Sequence, residues 1–179
     1  MIIREANSND IDGIAKVHVD SWRTTYKNIV ADDFLNNLSY ENRRKLWSNQ
    51  FSNSKNYIFV AVNEQEEIVG FICGQKEQSG KYPGYEGDVT SIYLDEKYQA
   101  NGLGRKLLKE LFIKFDSVNI NSVIVWVLEN NQSRVFYEKM GAKLVVNNES
   151  IKIGKEYLKL IGYGWENIKN ILKMEAVDI

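Results

Sequence analysis

One segment constrains this chain more than any other. It runs Ile92-Tyr93-Leu94-Asp95-Glu96-Lys97-Tyr98-Gln99-Ala100-Asn101-Gly102-Leu103-Gly104-Arg105. A buried strand pattern ends, a polar loop follows, and two glycines open the clearest amphipathic helix of the sequence, 102 to 115. There Leu103, Leu107, Leu108, Leu111, Phe112 and Phe115 share one face, and Arg105, Lys106, Lys109 and Lys114 fall elsewhere. Glycine lets a backbone approach a ligand closely. The first N–H groups of a helix have no partner within it, and the helix dipole is positive at that end. The combination suits an anion, best a phosphate or pyrophosphate. The plain alternative is that Gly102 and Gly104 only permit a tight loop and close helix packing. A dinucleotide-binding G-x-G-x-x-G fails, because its third glycine would fall at Leu107, and no G-x-x-x-x-G-K-[ST] occurs.

The rest of the chain supplies a mixed α/β (α+β) pattern. Residues 2 to 6 read as a strand, and Ser8, Asn9 and Asp10 as helix caps. Ile11, Ile14, Ala15, His18 and Trp22 then recur at helical spacing. Helical runs follow over 32 to 38 and from Ser39 to Phe51. Residues 57 to 62 and 68 to 74 form a hairpin, 78 to 87 a loop, 88 to 94 a strand, 122 to 128 a central strand, and 131 to 140 a helix stopped by Gly141. Residues 142 to 163 supply two more strands, with the last residues peripheral. Hairpin strands thus come first and strand–helix units follow, in a single domain over 1 to 179.

Scarce residues limit the chemistry. The 179 residues hold one Cys, one His and one Pro. That excludes an internal disulfide and any multi-Cys or two-His metal site, so no metal is expected. A net charge of −1 argues against a nucleic-acid partner, and no apolar run approaches a membrane span. The start of the chain lacks a signal-peptide pattern, so the expected location is cytoplasmic.

Two blocks resemble the GNAT superfamily of N-acetyltransferases. The family's acetyl-CoA signature is Arg or Gln, two variable residues, then Gly-x-Gly or Gly-x-Ala, after an apolar-x-apolar strand end. Gln99-Ala100-Asn101-Gly102-Leu103-Gly104 matches it after Ile92-Tyr93-Leu94. The second block is Asn130, Ser133, Phe136-Tyr137-Glu138-Lys139 and Gly141, directly after a strand ending Val127-Leu128-Glu129. The resemblance covers nearly the whole chain and is strongest from about 88 to 142. It implies a mixed, mostly antiparallel sheet of six to seven strands with helices on both faces. It also implies that the backbone of Ile92, Tyr93 and Leu94 pairs with the pantetheine arm. The N–H groups from Gln99 through Ala100, Asn101, Gly102, Leu103 and Gly104 to Arg105 would hold the pyrophosphate. Asn130, with Ser133 in the same block, would hold the pantetheine amide side, and Tyr137 would sit by the thioester sulfur. Ala100 and Asn101 stand where basic or Gly residues are common, and Arg105 and Lys106 can compensate.

Amine acetylation needs a base for the amine, a donor for the developing oxyanion and an acid for the leaving thiolate. Tyr137 is the expected acid, with a core aromatic beside Phe136 as the alternative. The candidate bases are Asp88 and Glu86, acting directly or through water; otherwise they are solvated loop charges. In this family the early helices usually supply the acceptor wall, which here points to Trp22, Tyr26 and Phe34. Aromatics beside Asp32 and Asp33 would suit a cationic amine, although each also reads as packing or a helix cap. His18 reads as a core or rim histidine and Cys73 as an inert buried thiol. The expected activity is acetyl transfer from acetyl-CoA to a primary amine in a ternary complex. The acceptor would be a small molecule such as a polyamine, amino sugar or amino acid, or else a protein N-terminus or lysine. The resemblance also admits a homodimer, and an acyl-CoA-binding module without turnover.

Overall fold

A computed structural model describes residues 1 to 173. The expectation for the final residues falls largely outside that range. In chain order the elements are β1 (Ile2–Glu5), α1 (Ile11–Thr25), α2 (Asp32–Asn36), α3 (Tyr40–Ser52), β2 (Tyr57–Val62) and β3 (Ile68–Lys76). Then come β4 (Gly87–Leu94), α4 (Leu103–Ser117), β5 (Val123–Leu128), α5 (Ser133–Lys139), β6 (Lys143–Ile153), β7 (Glu156–Trp165) and α6 (Lys169–Leu172). Single turns of 3-10 helix precede α1 and follow β4. The seven strands form one sheet in the order β1-β2-β3-β4-β5-β7-β6. Every pairing is antiparallel except β4 with β5.

The sheet is covered on both faces because both faces of its inner strands are apolar. In β2 (YIFVAV) five of six residues are buried, too many for a one-sided sheet. Phe59, Ala61 and Ile72 join α4 and β5 in one core with Leu107, Leu111, Phe112 and Phe115. Ile58, Val60 and Phe71 face the other way, toward Ile14 and Val17 of α1 and Trp47 of α3. A smaller third cluster joins Tyr26, Val30 and Leu35 to Leu128 and Ile153, bringing the tip of the β6–β7 hairpin over α2. The close seat of α4 depends on Gly74. A Cβ there would stand 2.8 Å from both Leu111 Cδ2 and Phe115 Cζ.

The β4–β5 seam positions the functional site. It holds only three register pairs, Gly87 with Val123, Asp88 with Ile124 and Val89 with Val125. Beyond Val89 the strands part. On its other edge β4 carries a bulge, because Cys73 faces Ser91 and Gly74 faces Val89, leaving Thr90 as the extra residue. The Thr90 hydroxyl donates to the Cys73 carbonyl at 3.2 Å. A bulge bends and twists its strand, which carries Ile92–Leu94 away from Trp126–Leu128.

Truncating Leu111 tests the α4 seat. It is fully buried against β3, so Leu111→Ala should lower the unfolding free energy by about 2 to 5 kcal/mol. Urea denaturation of wild type and variant measures this; a loss below 1 kcal/mol, roughly that of a half-exposed site, contradicts the assigned packing.

Candidate active site

The parted strands open a cavity of about 830 Å³. Its walls are Val89–Leu94 on one side and Val125–Val127 on the other. The loop into α4 closes one end, and Asn130–Ser133 with α5 closes the other. Of the residues expected to hold acetyl-CoA, Ile92, Tyr93, Leu94, Gln99, Ala100, Gly102, Gly104, Arg105, Asn130 and Ser133 all line this cavity. Leu103 instead faces the core, and Asn101 is exposed beside the loop.

The loop has the form of an anion cradle. The backbone amides of residues 100 to 104 find no acceptor among the described residues. No side chain caps α4, a helix of 15 residues. Gly102 at its start has φ +73°, and Ala100 has φ +59°. A left-handed alanine costs roughly 1 to 2 kcal/mol and is held by the turn around it. The consecutive donors and the positive end of α4 therefore converge on one anion-sized place.

Three tyrosines meet deeper in the cavity. Tyr137 is buried, lines the wall, and leaves its hydroxyl without a hydrogen bond among the described residues. Burial raises its pKa well above the usual phenol value, with Tyr26 adding to the effect, so it keeps its proton. The hydroxyls of Tyr26 and Tyr93 lie 3.2 Å apart in a hydrogen bond. Tyr26, expected on an acceptor wall, thus belongs to this first cavity.

A second cavity of about 560 Å³ lies between α1, α3, β4 and the tip of the β6–β7 hairpin. Thr90, Ser91 and Tyr93 line both cavities, so the two meet at the bulged part of β4. Trp22 and Phe34 line this second space, as do His18, Arg43, Cys73 and Ile151–Gly154. His18 stacks on Tyr93 with ring centres 5.0 Å apart and accepts the Trp47 indole N–H on Nδ1 at 3.1 Å. Burial, with the Arg43 guanidinium adding, pushes its pKa down to about 3. It is therefore neutral, a packed histidine as expected. Burial likewise pushes the Cys73 thiol up to about 11, so it is not a nucleophile.

The carboxylates separate. Asp88 lines neither cavity but lies close enough to Cys73 to raise its pKa. Burial, with Glu77 adding, pushes Asp88 up to about 6, and its Oδ1 is buried without a hydrogen bond. The structure does not bring Glu86 to the site. It is exposed before the strand, and its Oε2 accepts the Asn121 N–H at 2.8 Å. Asp32 and Asp33 are exposed in the first turn of α2, where the dipole favours acids, and line neither cavity. The expected acids beside the aromatic wall are absent from its lining. No group of three or more metal-ligating side chains occurs among the described residues.

Residues 19 to 142 match the family model described as acetyltransferase (GNAT) family. The chain belongs to the GNAT acetyltransferase family. It is similar to the uncharacterized N-acetyltransferase YuaI of Bacillus subtilis, 38% identical over 166 residues that cover 93% of each chain. It is similar to the peptidyl-lysine N-acetyltransferase YjaB of Salmonella typhimurium at 25% identity, covering 76% of this chain and 81% of the relative. In fold it is similar to the PaiA N-acetyltransferase of Thermoplasma acidophilum, solved with coenzyme A, with TM-score 0.66 and 21% identity. That match covers 89% of this chain and 96% of the other.

Within this GNAT enzyme, sequence reading missed two residues at the site. Asn131, next to the expected Asn130, is buried, accepts the Ser133 N–H at 2.8 Å and lies close enough to Tyr26 to lower its pKa. An Asn two residues before a helix was the available signal. Arg43 enters the second cavity from α3 and carries no local signal. Tyr93, expected in the cofactor strand, joins the two cavities.

The neutral state of His18 has a thermodynamic consequence. Its folded pKa lies below its unfolded value, so its contribution is complete above about pH 6.5 and is lost as pH falls toward 3. Between pH 7 and pH 5 wild type should lose about 2 kcal/mol more than His18→Gln. Paired denaturant titrations at the two pH values measure the difference, which cancels the carboxylates common to both proteins. Parallel pH profiles would mean that His18 is not buried in the neutral form.

Proposed function

We propose that this GNAT enzyme transfers the acetyl group of acetyl-CoA to a primary amine by direct attack while both are bound. The observation that carries this reading is the meeting of two cavities at Ser91 and Tyr93, the first of them also lined by the amide cradle. The residues present fit acetyl-CoA: five free amides and a helix end suit a pyrophosphate, and a slot between two unpaired strand edges suits an extended amide-bearing arm. Acetyl-CoA supplies the activated thioester carbonyl.

The residues then divide the work. The amides from Ala100 to Gly104 hold the pyrophosphate, the edge of Ile92–Leu94 aligns the arm, and Asn130 bonds its amide; the Gln99 N–H is already given to the Glu96 carbonyl. The amine reaches the carbonyl from the second cavity. It forms the C–N bond as the C–S bond breaks, and it gives up one proton. Tyr137 donates a proton to the departing sulfur, a role its raised pKa supports. Asp88, acting through water, takes the amine's proton, which its partial burial and value near 6 support. Glu86 has no part in this scheme, since its carboxylate is engaged with Asn121. A small amine is favoured because the second cavity is bounded by the hairpin tip. The second reading, acetylation of a protein lysine or N-terminus, has support in the similarity to the Salmonella typhimurium peptidyl-lysine enzyme.

Thiol release from acetyl-CoA over an amine panel tests the proposal. Tyr137→Phe should lower kcat by about 100-fold or more while the Kd for acetyl-CoA changes little. Tight binding with no release from any amine overturns this reading in favour of a binding module.

Two further variants test the base and the cradle. The rate should rise with pH through about 6, where Asp88 loses its proton. Asp88→Asn should remove that limb; if the limb survives, the base lies elsewhere. Gly102→Val should weaken acetyl-CoA binding at least about tenfold, because φ +73° is unfavourable for a branched side chain. Unchanged affinity would contradict the cradle.

A further inference from the structure

The second cavity has an unbalanced charge. Its lining contains the cations Arg43 and Lys152 and the neutral His18, but no carboxylate among the described residues. Lys152 lies over the exposed Tyr157 ring at 5.7 Å. Arg43 is different. It enters from α3 with its guanidinium carbon 5.3 Å from the centre of the Trp22 ring. Its Nε is buried without an acceptor, and it forms no ion pair among the described residues. The Trp22 indole N–H beside it turns toward the Tyr93 hydroxyl. One unsatisfied guanidinium donor thus stands at this cavity.

The neighbouring charges show that this is not a shortage of acids. Arg44, the next residue, pairs with Asp12 on the surface. Lys16 pairs with Asp20, which also accepts from Tyr40. Arg23 donates to the Leu38 carbonyl at 2.9 Å. Only Arg43 among these is turned to the aromatic space unpaired. Leaving a guanidinium half-buried with no anion is costly, and burial lowers its pKa. A carboxylate supplies the missing acceptor in the planar geometry that a guanidinium matches best. A polycation would be repelled from the same wall.

Resting on the reading of this cavity as the acceptor site, we propose that the acceptor is an amine that also carries a carboxylate, as an amino acid does, and that Arg43 binds that carboxylate. The aromatic wall of Trp22 and Phe34 takes its apolar part, and its amine points to Ser91 and Tyr93. Arg43 is then the residue that separates amino acids from polyamines and amino sugars.

The test compares amino acids with their own amides, which differ only in the charge of the carboxyl group and in a more easily deprotonated amine. That second difference favours the amides, so it works against the proposal. Thiol release should show kcat/KM at least about tenfold higher for the best acid than for its amide. Arg43→Met should abolish this preference by raising KM for the acids at least about tenfold more than for the amides, and Arg43→Lys should restore part of it. Binding of 3-phenylpropionate to the CoA-loaded protein, read by Trp fluorescence, should fall at least about tenfold in Arg43→Met. Equal use of acids and amides by wild type, or an equal penalty on both in Arg43→Met, overturns the proposal and leaves acetyl transfer standing. Arg43-dependent binding of 3-phenylpropionate with no amine acetylated overturns acetyl transfer and leaves the anion site standing. Absence of both overturns both.

Discussion

Both cavities of the proposed site depend on one short seam, the parallel pairing of β4 with β5. Three register pairs hold the strands together from Gly87 to Val89, and then they separate. Were the pairing to continue, Ile92–Leu94 and Trp126–Leu128 would satisfy one another and no cavity would exist. The extra residue Thr90 bends β4 at the place where pairing stops. The seam can stay short because each strand has a full partner on its other edge. The β3–β4 ladder reaches Leu94, and the β5–β7 ladder reaches Leu128. The split is therefore supported from both sides.

Much of the frame was legible in the sequence. The strand pattern of 57 to 62 matches β2, and Ser39 caps α3 by accepting the Asn42 N–H at 3.3 Å. Gly141 ends α5 with φ +79°. These signals are local, and local chemistry sets them. The four-residue α6 was not seen, since it is too short for a helical period to register. The two strands expected over 142 to 163 are β6 and β7, and two register shifts interrupt their ladder.

The two halves of the site differed in the same way. The cradle lies within one continuous stretch, so spacing revealed it. The second cavity joins α1, α2, α3, β3, β4 and the final hairpin. No spacing encodes which residues of those six elements face one another. Trp22 and Phe34 were found there, but Arg43, which sits between Asn42 and Arg44 in a polar run, looks like any solvated charge. The acids beside Phe34 in sequence turned out to face solvent. Adjacency in the chain suggested a cation site, while adjacency in space gives an unpaired cation.

The hairpin tip adds a matter of timing. Gly154, with φ +60°, rests against Phe34, where a Cβ would stand 3.2 Å from the ring. Residues separated by about two-thirds of the chain thereby form one wall. A chain synthesised from its amino end has completed α4, and with it the residues of the cradle, about forty residues before the residues of that wall are complete. The β7 strand that backs the groove comes later still, so groove and wall are finished together, by the same final hairpin.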